Sequence, residues 1–253
     1  MATKIVFANH KGGVGKSTTS ICVAQELIRR EYKVLFIDGD RQGNASTFYR
    51  ADYENEATII DILAGDVPAK ECVQHTERGD IIAFDEQLEN ADTIVRPDEL
   101  RFLHLKRSCK TVEDDYDYII IDTPPAIDVV TKNALASADY VVIPTDESGW
   151  SVGGIMKFSK AVEMAKETTN PNIKVAGVLI VKGKTFNKSK RAMENCKKIC
   201  TALDTITFSD VIRESSACQE ALTEFCVPLR EYAPHATTTL DYDHFVDELL
   251  EVI

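Results

Sequence analysis

Across 253 residues the chain carries 29 lysines and arginines against 41 aspartates and glutamates, a formal charge of −12, with 44% apolar and 28% charged side chains. This size and balance suit one α/β domain over residues 1–253. They argue against a membrane-spanning chain, because no run approaches the ~18 apolar residues of a span and no basic-then-apolar leader opens the sequence, so a cytoplasmic location is expected.

Taken in order, Lys4–Ala8 is a short apolar run that reads as the first strand and opens into Lys11-Gly12-Gly13-Val14-Gly15-Lys16-Ser17. Glycines at 12, 13 and 15 let successive backbone N–H groups turn inward around phosphate oxygens. Lys16 offers a positive charge to the β- and γ-phosphates, and Ser17 offers a hydroxyl to Mg²⁺. Helix Ser17–Arg30 follows with Ile21, Ala24, Leu27 and Ile28 on one face, which is the strand–loop–helix setting such a loop requires. Gly12, Gly13, Val14, Gly15, Lys16, Ser17 and Thr18 are thus the candidate nucleotide-binding residues. Strand Lys33–Ile37 runs into Asp38 and Asp40, which alternation places on one side of the chain.

Beyond it the chain alternates. Helix Thr58–Leu63 precedes strand Asp80–Phe84, and helix Glu99–Thr111 precedes strand Tyr118–Ile121, which ends at Asp122 where a carboxylate can reach a metal. Then come helix Val129–Ala136, strand Tyr140–Pro144, helix Gly153–Lys166, strand Val175–Val181, helix Lys188–Leu203 and a last helix over Leu240–Val252. Continuous apolar strands alternating with helices predict a doubly wound, mostly parallel sheet with its ligand at the carboxyl ends of the strands.

Two further patterns bear on function. Lys182–Lys198 holds seven basic residues against Glu194 alone, a local +6, which is either a face that steers a polyanion or a solvated helix surface. The last helix carries Asp241, Asp243, Asp247, Glu248 and Glu251, a charge that anionic lipid repels. Seven cysteines (22, 72, 109, 196, 200, 218 and 226) include no C-x-x-C pair, and Cys196 and Cys200, one helical turn apart, read as small buried hydrophobes.

The K-G-G-x-G-K-[ST] loop resembles the deviant Walker A of the ParA/MinD family of dimerising ATPases. The resemblance extends to Val34–Ser46 (V-L-F-I-D-G-D-R-Q-G-N-A-S), to Tyr116–Ala126 (Y-D-Y-I-I-I-D-T-P-P-A) and to Ile212–Ala221 (I-R-E-S-S-A-C-Q-E-A), in the family's order. It implies ATP and Mg²⁺ as cofactors and slow hydrolysis in a homodimer formed with ATP. On this resemblance Lys11 crosses a two-fold interface to the partner's phosphates, while Ser17, Asp38 and Asp122 serve the metal and Asp40 orients the attacking water. Arg41 stands where the family often has proline, Asn44 is a dimer or nucleotide contact or a plain loop asparagine, and adenine is expected near Ile180–Lys184 and Phe208–Asp210.

The ParA branch implies binding to nonspecific double-stranded DNA, with Lys184, Lys188, Lys190, Arg191 and Arg213 as candidate phosphate contacts. It also implies a ParB-like centromere-binding partner that stimulates hydrolysis, no membrane, and segregation of plasmid or chromosomal DNA. A first strand two residues into the chain resembles the small type without an N-terminal helix-turn-helix. Two alternatives stay open: a MinD-like membrane-associated positioning ATPase and a ParA-like positioner of a protein cargo.

Overall fold

The computed structural model describes residues 1–65, 67–146, 152–184, 194, 196, 200–201 and 204–253, with backbone alone for 152–156. Its strands are β1 (Thr3–Phe7), β2 (Val34–Asp38), β3 (Gln74–Thr76), β4 (Gly79–Ile82), β5 (Tyr118–Asp122), β6 (Tyr140–Asp146), β7 (Lys174–Gly183) and β8 (Thr207–Arg213). They form one sheet in the order β3-β4-β2-β5-β1-β6-β7-β8, parallel throughout except for the β3–β4 edge hairpin. The doubly wound expectation holds.

The helices are α1 (Lys16–Arg29), α2 (Asn44–Tyr49), α3 (Ile59–Ala64), α4 (Ala69–Cys72), α5 (Ala91–Ile94), α6 (His104–Cys109), α7 (Val129–Ser137) and α8 (Val152–Thr168), with short turns near the end and a last helix at Thr237–Val252. Alternate strand residues feed two cores. Ile5, Phe7, Phe36, Ile120 and Val142 pack on α1 and the last helix, through Ile21, Ala24, Leu27, Tyr242, Phe245 and Leu249. Val6, Leu35, Ile37, Ile119, Ile121 and Val141 pack on the other layer, through Ile59, Leu63, Leu105, Val130 and Phe158. Strands covered on both faces need apolar side chains at every position, which is why they read as continuous runs.

Three differences from the expected elements have identifiable physical causes. The predicted helix Glu99–Thr111 is regular only over His104–Cys109, since Asp98 to Leu103 form turns closed by Arg101 N–H to Asp98 C=O (3.2 Å) and Leu103 N–H to Leu100 C=O (2.7 Å). Helix α2 was invisible in its Asn-Ala-Ser-Thr-Phe-Tyr sequence, whose polar residues favour caps and turns over helix. Tertiary contacts create it: Gly43 turns the chain with φ 60°, Ser46 binds Asp38, and Phe48 and Tyr49 are buried. Edge strand β8 was also missed; its backbone is capped from the side, with Ser209 N–H donating to Glu248 Oε1 (2.8 Å) and Arg213 N–H to Asp241 Oδ2 (3.0 Å). The expected helix Lys188–Leu203 lies mostly outside the described residues, as do Lys188, Lys190 and Arg191.

The chain leaves β1 toward β2 on one side and leaves β5 toward β6 on the other. The carboxyl ends of β1, β5 and β2 therefore open onto a crevice, the position where open α/β sheets bind ligands.

Candidate nucleotide and metal site

The loop at the end of β1 is built around two left-handed glycines, Gly13 at φ 73° and Gly15 at φ 76°, the second of which caps α1. L side chains rarely adopt that conformation, so these two positions need glycine. Asn9, which the sequence reading passed over, anchors the loop's start: its Nδ2 donates to Pro144 C=O on β6 (2.8 Å) and its Oδ1 accepts from Lys11 N–H (3.1 Å). Thr123 does the same for β5, donating its hydroxyl to Phe7 C=O at 2.9 Å. The loop leads straight into α1, so the unpaired N–H groups of the first helical turn face the crevice.

Parallel pairing brings the acids together. Asp38 on β2 lies in register with Asp122 on β5, and both side chains are fully buried. Asp38 Oδ2 accepts from Ser46 N–H (2.7 Å) and Ser46 Oγ (2.8 Å), while its Oδ1 accepts from Asp40 N–H (3.2 Å). Asp40 Oδ1 accepts from Gln42 N–H (3.1 Å), and Gly43 N–H closes the turn on Asp40 C=O at 2.9 Å, leaving Arg41 exposed. Between the two aspartates Gly39 donates its N–H to Asp122 C=O (3.1 Å); a Cβ there would lie 2.7 Å from that oxygen. Glycine is what lets β2 leave the sheet against β5.

Charge is crowded here. Burial pushes the Asp122 carboxyl well above the usual range, and Asp38 and Asp40 add to the shift. Neither Asp122 oxygen meets hydrogen-bond geometry among the described residues, although the Ser17 hydroxyl and Lys16 favour its charged form. Burial likewise raises Asp38 to about 6 against the pull of the Ser46 hydrogen bonds. Asp40 is raised by burial, with Lys16 and Arg41 opposing. Lys16, itself buried, is lowered by desolvation and raised by Asp122 and Asp40. Among the described residues three carboxylates thus crowd a desolvated pocket in which Lys16 acts on Asp122 and Asp40, an arrangement that is costly unless another cation enters.

The residues present fit a magnesium–phosphate group. An orphaned buried carboxylate stands beside a serine hydroxyl, a hard-oxygen set suited to Mg²⁺ directly or through water. Lys16 and the glycine loop supply the positive, donor-rich surface a phosphate needs. Bound magnesium supplies Lewis-acid neutralisation of the phosphate oxygens.

Other expected site residues are placed differently. Lys11 is exposed at the front of the loop, where its Nζ pairs with Asp146 at 3.0 Å. Arg213 forms a two-pronged pair with Asp241 of the last helix, and Lys184 pairs with Glu214 at 3.3 Å. Phe208 is fully buried edge-on against Phe245 and has no surface to offer a base, which removes it from the expected adenine region. Cys196 and Cys200 are core residues, with the Cys200 thiol donating to Ile206 C=O at 3.2 Å. Among the described residues no helix is long and apolar enough to cross a membrane.

Comparison with known proteins identifies this arrangement. The family described as "AAA domain" matches residues 2–175. Over 185 residues the chain is 35% identical to the sporulation initiation inhibitor protein Soj of Bacillus subtilis, covering 71% of this chain and 72% of Soj. The chromosome partitioning protein ParA of Myxococcus xanthus is 34% identical over 179 residues, 70% of this chain but 63% of its own length. A plasmid partition protein from Borrelia burgdorferi aligns over 100% of both chains with a TM-score of 0.77 and 27% identity. A structure from the same organism, solved with AMPPNP bound, aligns as completely with a TM-score of 0.80 and 25% identity. The chain belongs to this AAA-domain family and, within it, to the Soj-like branch of the ParA/MinD ATPases, whose cofactors are ATP and magnesium.

Proposed function

We propose that this ATPase partitions DNA: with ATP it forms a homodimer that binds double-stranded DNA without sequence preference, and slow hydrolysis releases it. The observation that carries this reading is the division of labour between two lysines. Lys16 is buried among the acids and serves the chain's own nucleotide, whereas Lys11 stands exposed on the outer edge of the same loop, its ammonium in an ion pair with Asp146. An exposed ion pair contributes at most about 1 kcal/mol, so a phosphate on a facing copy can draw Lys11 away from Asp146. In that dimer Lys11 acts in trans as a charge-stabilising finger, and ATP becomes part of the interface.

Gly12, Gly13, Val14, Gly15, Lys16, Ser17 and Thr18 hold the nucleotide in this reading. Ser17 and Asp122 hold the metal, with Asp38 beside them and tied to Ser46. Asp40 orients water for in-line attack. DNA contacts fall to Lys184, Lys188, Lys190 and Arg191, doubled by dimerisation, and to the half-exposed guanidinium of Arg213. A ParB-like centromere-binding protein stimulates hydrolysis, and the protein works in the cytoplasm on the nucleoid as a single domain over residues 1–253. Membrane docking by the last helix finds no support, since Tyr242, Phe245, Val246 and Leu249 are spent on the core.

The test is binding to random-sequence duplex DNA with ATP, ADP and no nucleotide, with Asp40→Ala to hold the ATP state. Binding confined to ATP, and falling with salt at about −0.9 in log–log slope per phosphate contact, is the expected result. A dimer that ignores DNA would sink the proposal and favour a protein cargo.

A further inference from the structure

The basic run begins at Lys182, and this residue departs from its neighbours. Strand β7 shifts register against β8 between Val181 and Gly183, a bulge centred on Lys182. There the backbone takes φ 57°, a left-handed conformation that costs a lysine strain. Bulges of this kind re-aim side chains beside functional sites. The re-aimed side chain crosses to the phosphate loop, where Lys182 Nζ donates to Gly13 C=O at 2.7 Å. Its neighbour Val181 braces the same loop, with Cγ2 3.5 Å from where a Gly15 Cβ would stand. At Gly13 the space is open: an added Cβ would meet nothing within 4 Å among the described residues, while the Val14 side chain on the other end of the peptide is fully buried.

We propose that Lys182 is a positioning residue that sets the orientation of the Gly13–Val14 peptide for phosphate binding, an inference that rests on the nucleotide-site reading above. The carbonyl and N–H of a trans peptide point in opposite directions within one plane. Holding the Gly13 carbonyl outward on Lys182 therefore turns the Val14 N–H inward, toward the cradle formed by the loop. Gly13 sits at φ 73° and carries no side chain, so without the brace the peptide can reach the flipped orientation, which offers a phosphate a carbonyl oxygen instead of a donor. Preorganised donors bind anions more tightly because the ordering cost is met before the ligand arrives. Among the described residues the Lys182 ammonium bonds the Gly13 carbonyl and forms no ion pair with the crevice acids, so it acts through the loop.

The experiment uses the full chain with Lys182→Met, Lys182→Arg and Lys182→Gly. Affinity for a fluorescent ATP analogue with magnesium should fall about tenfold in the Met and Gly variants, the effect of losing one charge-assisted hydrogen bond, and return to within about threefold of wild type in Arg. The Gly variant should melt no lower than wild type, since it relieves the left-handed strain, and this separates lost binding from lost folding. In the apo protein, amide exchange at Val14 should change in Met and be restored in Arg, a readout independent of nucleotide. A wild type that binds no ATP defeats the nucleotide reading, whereas Val14 exchange and affinity unchanged in both Met and Gly overturn the role of Lys182.

Discussion

Two carboxylate-rich regions of this molecule treat charge in opposite ways. Behind α1, Glu26 and Asp243 meet Arg29, Arg30 and Arg230: Glu26 binds Arg29 and lies 3.2 Å from Arg230, and Asp243 lies 2.9 Å from Arg30 and 3.0 Å from Arg230. Burial would push the Asp243 carboxyl up, but contacts with Glu26, Arg30 and Arg230 bring it down to about 2. In the crevice, Asp40 and Asp122 lean on the buried Lys16, Asp38 is held by Ser46 hydrogen bonds, and all three are raised. Acids matched by arginines hold α1 to the last helix. Acids left unmatched in a dry pocket raise the energy of the empty protein and are relieved by a cation that arrives with the ligand.

The contrast can be broken most completely at Lys16. Lys16→Ala removes the buried cation of the crevice and should abolish ATP binding, a loss of at least about 100-fold by isothermal titration calorimetry. Asp40→Ala comes next; it should slow hydrolysis about 100-fold in single-turnover assays while ATP-dependent dimers persist. Lys11→Ala should leave ATP affinity near wild type and prevent dimerisation with ATP in light scattering; wild-type dimer affinity would refute the trans role.

The acids themselves sharpen the comparison through pH. A carboxyl raised from 3.8 in the unfolded chain to about 6 in the fold, as Asp38 is, binds more protons folded than unfolded. Its contribution is full below pH 3.8 and is lost as pH rises through about 6, a swing of about 3 kcal/mol. Asp38→Asn should remove that part of the pH dependence in the apo protein and raise its melting temperature at pH 7, while weakening the stabilisation given by Mg-ATP. Glu26→Ala should do the reverse, costing about 2 kcal/mol in urea unfolding by leaving Arg29, Arg30 and Arg230 to share Asp243 without their buried second acid, with ATP affinity changed less than about threefold.

Local sequence determined much of this. The glycine spacing of residues 12–15 dictates a loop of left-handed turns, the apolar runs dictate strands covered on both faces, and Asp38 and Asp122 are placed at strand ends by those runs alone. These features depend on neighbours within a few residues, where backbone sterics and burial periodicity act.

What only the tertiary structure decided depends on distant partners. Helix α2 exists because Ser46 meets Asp38 and Phe48 and Tyr49 meet the core, against weak local propensity. Asp38 and Asp122 become one charged cluster because β2 and β5, far apart in sequence, pair in register. The acidic last helix binds arginines and strand-edge N–H groups, a fate its own sequence could not reveal. Lys182 read as one more base in a run until a bulge turned it onto Gly13. Residue type fixes which charges and donors a chain owns; only folding brings them into the dry, close contact where each is neutralised or left waiting.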